Sequence, residues 1–466
     1  MLILANSKKH NETPENRNII REALTLVNEM LSLCNKSVNQ DEWTIHLNKS
    51  FPKMVNLAPM NFILPLQSSM TVTLPATNKH SNSHQPFPDK PVRIYKFVDE
   101  VELMRSLVKP RKVTIIGDNG IEYNFLCKPD DDLRKDARLM DFNSMINKFL
   151  KSNSEARKRS LGIRTYTVIP LNERCGLIEW VKDTRTFRSI LIERYEYRGI
   201  KWYSPDIGNM LERGRTNGPE QTIHMFAQVL KRYPKVFHEW FIEMFPEPSE
   251  WLKARMTYSR TLAVMSITGF VLGLGDRHCE NILLDKNNGA VQHVDFNCLF
   301  EKGSQFEVPE RVPFRLTHNL VDGLGVTGTE GIFRKAAEVT MEILRANRDS
   351  LGSVVESFLH DPLVDWEDEK RRNDRLRAME KSGRRPVGTS RKATGFDQDV
   401  DGQAYIKQLA MSALGPIERK LQGLQTEHDK ANKTVMSTSA QVEKLIREAA
   451  SPYNLGAMYV GWAPWL

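Results

Sequence analysis

The sequence predicts an α+β chain of two lobes, a β-rich small lobe and then a mostly helical large one, closed by a helical C-terminal segment. Three observations predict it. Up to about residue 181, β-branched and aromatic runs alternate with turn signals, as at Val113–Ile116, Tyr123–Cys127, Tyr166–Leu171 and Gly176–Val181. Beyond that point the pattern becomes mostly helical. Near the end, Val442, Leu445, Ile446 and Ala449 recur at helical spacing. The expected divisions are a helical lead-in over 1–51, the small lobe over 52–180 and the large lobe over 181–365. A basic insert with a helix follows over 366–433, and a C-terminal unit over 434–466.

The lead-in is expected to be helical from about Glu15 to Asn48, on Ile19, Ile20, Ala23, Leu24, Val27, Met30 and Leu31. In the small lobe, Val113-Thr114-Ile115-Ile116 runs into Gly117-Asp118-Asn119-Gly120, where Asn-Gly predicts a type I′ hairpin turn. The returning strand ends on Lys128. A lysine there can neutralise phosphate oxygens, and an acid of the following Asp130–Asp136 run can pair with it. Those acids also suit the positive end of the helix that the run opens. Upstream, the turn Met104–Pro110 carries Ser106 and Lys109, which can meet phosphate by hydroxyl, amide and charge. No glycine-rich loop of the Gly-x-Gly-x-x-Gly kind precedes Lys128, and no Walker A sequence is present.

The densest chemistry lies in Gly275-Asp276-Arg277-His278-Cys279-Glu280-Asn281 and His293-Val294-Asp295-Phe296-Asn297. Two carboxylates, an imidazole and a carboxamide are what phosphoryl transfer from ATP asks of a protein, because the transferred group carries dense negative charge. Asn281 and Asp295 are hard oxygen ligands of the kind magnesium or manganese takes. Asp276 can accept a hydrogen bond from an attacking hydroxyl. A lone Asp-Arg-His would read as a polar turn; the two motifs together, flanked by apolar runs, do not.

In ordinary protein kinases the triplet is His-Arg-Asp. Here it is inverted, with Asn281 and Asp295 following in order. This resembles the phosphatidylinositol 3-kinase superfamily. Within it, Cys127-Lys128-Pro129, Leu139-Met140-Asp141-Phe142-Asn143-Ser144, Val168-Ile169-Pro170-Leu171-Asn172-Glu173, Phe237-His238-Glu239-Trp240-Phe241 and Val312–Asn319 are similar to the related protein kinases of the ATR branch. Asn297, where most of the superfamily has Gly, points the same way. The apolar end, Leu455 and Met458–Leu466, resembles the FATC segment that closes such kinases.

The resemblance implies a two-lobed kinase fold and an ATP-dependent serine/threonine protein kinase of DNA-damage checkpoints, nuclear, acting on Ser or Thr followed by Gln. It implies Asp276, His278 and Lys128 as catalytic and Asn281 and Asp295 as metal ligands. Ser106, Lys109, Lys128, Asp131, Asp136, Tyr166, Ile178, Glu179, Trp180, Leu283 and Val294 are implied around ATP, with Asp131 the partner of Lys128 and the hinge after Trp180. It further implies an ATR-interacting regulatory subunit, dimerisation, contact with DNA only through partners, and a long helical solenoid before the catalytic part. A phosphatidylinositol kinase and a catalytically silent scaffold are the alternatives. The loop from Asp295 to Thr317 sets Lys302, Arg311 and Arg315 among Glu301, Glu307 and Glu310, a balance poorly suited to a polyanionic head group.

Composition is compatible with this. The 66 Lys and Arg against 58 Asp and Glu give a net charge of +8, with the excess gathered in 370–392, which reads as a solvated linker rather than a DNA-binding arm. No run of about 18 apolar residues occurs, so no membrane span is expected, and Met1–Ala5 is too short an apolar stretch for a signal peptide. The 5 cysteines contain no Cys-x-x-Cys pair and read as reduced thiols.

Overall fold

The structure, a computed structural model, describes residues 14–39, 41–66, 68, 90–105, 109–129, 131–359, 414–424 and 435–466. Ser106, Asp130 and the basic insert 366–403 lie outside the described residues. The chain divides into two units, Met1–Ser144 with Arg164–Lys182, and Met145–Ile163 with Asp183–Leu466.

The first unit is built on a seven-stranded antiparallel sheet in the order β1-β3-β4-β5-β7-β6, with β2 also paired to β4. The strands are β1 (Thr44–His46), β2 (Ile94–Phe97), β3 (Glu100–Leu103), β4 (Arg111–Gly117), β5 (Glu122–Lys128), β6 (Val168–Pro170) and β7 (Gly176–Glu179). In β4 burial alternates strictly, so Val113 and Ile115 face the core. They join Phe97, Val101, Phe125, Cys127 and Leu177 from the sheet, and Leu33 and Cys34 from the helix Pro14–Asn35.

Two expectations are corrected here. The lead-in helix ends at Asn35, and Thr44–His46 is a strand paired with Glu100–Glu102. Trp43, Thr44 and Ile45 favour a pleated, half-buried edge, and that tertiary pairing overrides the helical spacing before it. The turn at Gly117–Gly120 is not type I′, which needs positive φ at both central residues. Among Asp118, Asn119 and Gly120 only Gly120 has positive φ, at 76°, and the Gly120 N–H donates to the Gly117 carbonyl at 2.9 Å. Asn119 instead spends its side chain on the Ile121 N–H and the Tyr123 hydroxyl.

The second unit is largely helical. Its centre is the helix Pro248–Leu272, buried continuously from Leu262 to Leu272 and ended by Gly273 in the left-handed conformation. Phe237, Trp240, Phe241 and Tyr258 stack edge-to-face and in parallel around it. The helix Ile332–Ala346 packs along it, and the C-terminal helix Thr438–Ala449 packs on that one in turn. A small sheet, β8 (Thr184–Thr186), β9 (Ile282–Asp285) and β10 (Val291–His293), is ordered β10-β9-β8. The β9–β10 hairpin carries the two motif segments at its ends, so it sets the spacing between them. No helix among the described residues is long and apolar enough to cross a membrane, and all 5 cysteines are buried and free.

Candidate active site

In the second unit, Asp276 and Asp295 both have left-handed backbones, with φ of 56° and 59°. Non-glycine residues enter that region at a cost, and Asp is among the few that tolerate it. Arg277, buried, holds the pair of loops in place: its Nε donates to the Gly275 carbonyl at 2.9 Å, Nη1 to the Val294 carbonyl at 2.8 Å, and Nη2 to the Asp295 carbonyl. Its guanidinium lies 5.7 Å from the Phe296 ring centroid. Asn281 Nδ2 donates to the Asp276 carbonyl at 2.9 Å, and the Val294 N–H donates to the Asn281 carbonyl at 3.1 Å.

This geometry tests whether the residues suit a divalent metal. Because a carbonyl can only accept, Asn281 must turn its NH2 toward Asp276, which leaves Oδ1 pointing the other way as a ligand. Asp295 uses Oδ1 to accept from Asn297 Nδ2 at 3.0 Å, which fixes the carboxylate and leaves Oδ2 for a cation. Two hard protein oxygens, with water and phosphate oxygens completing the shell, fit magnesium. No group of three or more His, Cys, Asp or Glu side chains that could hold a metal ion occurs among the described residues.

Asp276 is half-buried, and desolvation pushes its pKa up against the pull of His278 and Arg277. Burial lowers the pKa of His278 despite Asp276 and Glu280 nearby, which favours the neutral ring. The Glu280 N–H donates to His278 Nδ1 at 3.2 Å, which assigns the ring proton to Nε2. His278 thus presents an Nε2–H donor beside Asp276. A cavity of about 750 Å³ opens at these two residues, lined further by Phe306, Val308, Arg215 and Trp462.

One close neighbour of Asp276 is not marked by any motif in the sequence. Glu310 accepts the Asp276 N–H with both carboxylate oxygens, at 3.0 and 3.1 Å. Burial pushes the Glu310 pKa up to about 7, against the opposing pull of the Asp276 N–H bond and with a smaller upward push from the Asp276 carboxylate. In sequence it was only one of several loop acids. Arg315, also buried, donates to the carbonyls of Trp462, Ala463 and Leu466 at 2.8, 2.7 and 3.1 Å, and to that of Arg277 at 3.3 Å. It therefore ties the C-terminal segment to the turn that carries Asp276. Leu283 on β9 and Val294 after β10 are half-exposed apolar neighbours of Asn281 and Asp295.

In the first unit, Lys128 at the end of β5 pairs with Asp131 at 3.1 Å, both partly buried. Asp136 is buried in the first turn of the helix Arg134–Ser152. Ile178 and Glu179 lie on β7 opposite Leu126 and Phe125. The Glu179 carboxylate accepts the Thr167 N–H at 2.9 Å, beside buried Tyr166, and the Trp180 N–H donates to the Asn124 carbonyl at 2.9 Å. These bonds fix the course of the segment expected to be the hinge. The Lys109 ammonium donates to the Asn39 and Glu42 carbonyls at 2.7 and 3.3 Å and lies 4.6 Å from the Trp43 ring centroid.

Residues 122–368 match the phosphatidylinositol 3- and 4-kinase family and residues 435–466 the FATC domain. Protein kinase rad3 of Schizosaccharomyces pombe is 45% identical over 95% of this chain and 17% of its own length. The serine/threonine-protein kinase ATR of Oryza sativa subsp. indica is 39% identical over 99% of this chain and 16% of its own. The structure described as the FAT and kinase domain of CtTel1 superposes with a TM-score of 0.79 at 29% identity, covering 100% of this chain and 30% of that one. The two-lobed α+β kinase fold expected from the sequence is therefore present, and this chain belongs to the phosphatidylinositol 3- and 4-kinase family, with a FATC domain at its C-terminal end.

Proposed function

We propose that the chain is the catalytic portion of an ATP-dependent serine/threonine protein kinase of the ATR type, working in DNA-damage and replication-stress checkpoints in the nucleus. The chain spans about one sixth of the length of the curated relatives it matches, which are named protein kinase rad3 and serine/threonine-protein kinase ATR. The observation that favours a protein acceptor over an inositol lipid is the fate of the loop cations. Arg315 is buried and committed to three C-terminal carbonyls, and Arg311 Nη1 donates to the Tyr453 hydroxyl at 2.9 Å. Arg315 is thus committed to the C-terminal segment, and Arg311, though exposed, is tethered to it through Tyr453, so the loop offers little concentrated positive charge to a polyphosphate head group.

In the proposed mechanism Lys128, steadied by Asp131, offsets phosphate charge. Asn281 and Asp295 hold magnesium or manganese, which when bound neutralises charge on the phosphates. Asp276 accepts the proton of the substrate hydroxyl as its oxygen bonds to the γ-phosphorus and the bond to the bridging oxygen of ADP breaks. Its raised pKa makes it a better base than a solvated aspartate. His278, through Nε2–H, donates a hydrogen bond to developing negative charge. The preference for Gln after the acceptor, a regulatory subunit of the ATR-interacting kind and dimerisation belong to the same reading. The relative titled a complete CtTel1 dimer with C2 symmetry supports the last.

Transfer of labelled phosphate from ATP tests this, offering a Ser-Gln peptide, the same peptide with Gln replaced, and phosphatidylinositol vesicles. Gln-dependent peptide labelling, absent in Asp295→Ala, is expected. Labelling of the lipid would overturn the protein-acceptor reading.

A further inference from the structure

We propose that Glu310 is a positioning residue for phosphoryl transfer: its carboxylate holds Asp276 in its left-handed conformation and makes that placement depend on how the 303–310 segment is seated. The proposal rests on the kinase reading above.

The contact is a built socket. Glu310 receives the Asp276 N–H on both oxygens, at 3.0 and 3.1 Å, and its own N–H donates to the Gly303 carbonyl at 3.0 Å. The Gly275 N–H in turn donates to the Cys298 carbonyl at 2.8 Å. Three stretches of chain therefore meet at one carboxylate. Two of them leave room only because they carry glycine there. A Cβ at Gly303 would stand 2.2 Å from Glu310 Oε2, and one at Gly275 would stand 2.6 Å from the same oxygen and 2.8 Å from Cys298 Sγ.

An acid is an expensive choice for this position. It is desolvated and lies beside a second carboxylate, Asp276, with Arg277 and Arg315 as cations that offset the repulsion. A backbone amide in a turn can be satisfied by water at much lower cost. What the carboxylate adds is a connection. Glu310 lines the same cavity as Asp276, His278, Phe306 and Val308, so the segment that walls the acceptor cavity also fixes the base that would act in it. Since an error of about 1 Å in a reacting group can cost a hundredfold in rate, the coupling bears directly on turnover.

The test compares Glu310→Ala, Glu310→Gln and Gly303→Ala in the purified chain, reading kcat, KM for ATP and the exchange protection of the Asp276 amide. Glu310→Ala should lower kcat by about tenfold to a hundredfold with little change in KM for ATP. Glu310→Gln, which keeps a carbonyl acceptor, should recover most of that rate. Gly303→Ala should reproduce the loss by displacing the carboxylate, and combining it with Glu310→Ala should add nothing further. Wild-type kcat in Glu310→Ala, or multiplicative losses in the double variant, would overturn the proposal. A wild-type chain that transfers no phosphate to any acceptor would count against the kinase reading instead. The Asp276 amide then decides alone: slow exchange that becomes fast in Glu310→Ala supports the socket, and equal exchange refutes it.

Discussion

Lys128 is held by a carboxylate three residues away, with the two side chains 18% and 23% exposed. Asp276 is held from Asn281, five residues on, and from Glu310, 34 residues on, while Arg277 and Arg315 extend the network to Asp295 and to the C-terminal residues. The ion pair of the one lies within a single turn, whereas the other is tied to four separated segments. The difference teaches where fragility lies. A local ion pair near solvent contributes little to stability and can be lost cheaply. A buried network transmits any disturbance to the residue at its centre.

The largest expected effect breaks the comparison at its distant end. Arg315→Met leaves the carbonyls of Trp462, Ala463 and Leu466 without their donor, so it should cost about 3 kcal/mol or more and expose 435–466 to limited proteolysis. Unchanged melting would show that the C-terminal segment is held by apolar burial alone. Next in size is a pH effect. The Glu310 pKa is raised to about 7 from 4.5, so the acid is tolerated best when protonated, and its contribution falls as pH rises from about 4.5 to about 7. Relative to wild type, Glu310→Gln should gain about 3 kcal/mol across that window and nothing more above it. A constant difference between the two melting profiles would contradict the assigned burial.

Smaller still is Ser437→Ala, which removes the hydroxyl accepting the Ala440 N–H at 3.2 Å at the start of the helix Thr438–Ala449. It should cost about 1 kcal/mol in denaturant unfolding. The smallest belongs to the local pair. Asp131→Asn should change stability by about 1 kcal/mol or less while raising KM for ATP. A stability loss as large as that of Arg315→Met would erase the distinction between the two regions.

The same distinction explains what could be seen in the sequence. Asp276, Asn281 and Asp295 were legible because a single short hairpin separates the two motif segments that carry them, and Lys128 with Asp131 because a single turn contains both. The left-handed backbones at Asp276 and Asp295 left no trace, since Asp occurs in many conformations. Glu310 was hidden for a different reason: its partner is a backbone amide, which carries no side-chain signature. The clue available was the pair of glycines, Gly275 and Gly303, whose missing Cβ atoms make the space. Thr44–His46 was absorbed into a helical run because its sheet partners lie more than fifty residues away. Lys420, in a helical stretch over 414–422, was likewise invisible, although it donates to the Phe270 carbonyl at 2.7 Å and pairs with Glu301 at 2.8 Å.

The most direct test of the account is single-turnover phosphate transfer by Asp276→Asn, with Mg-ATP binding measured alongside. The substitution is isosteric, keeps the backbone N–H that Glu310 holds, and removes only the base. Retained nucleotide binding with a rate about a hundredfold or more below wild type is the predicted result. Transfer at close to the wild-type rate would contradict the assignment of Asp276 as the group that receives the acceptor's proton.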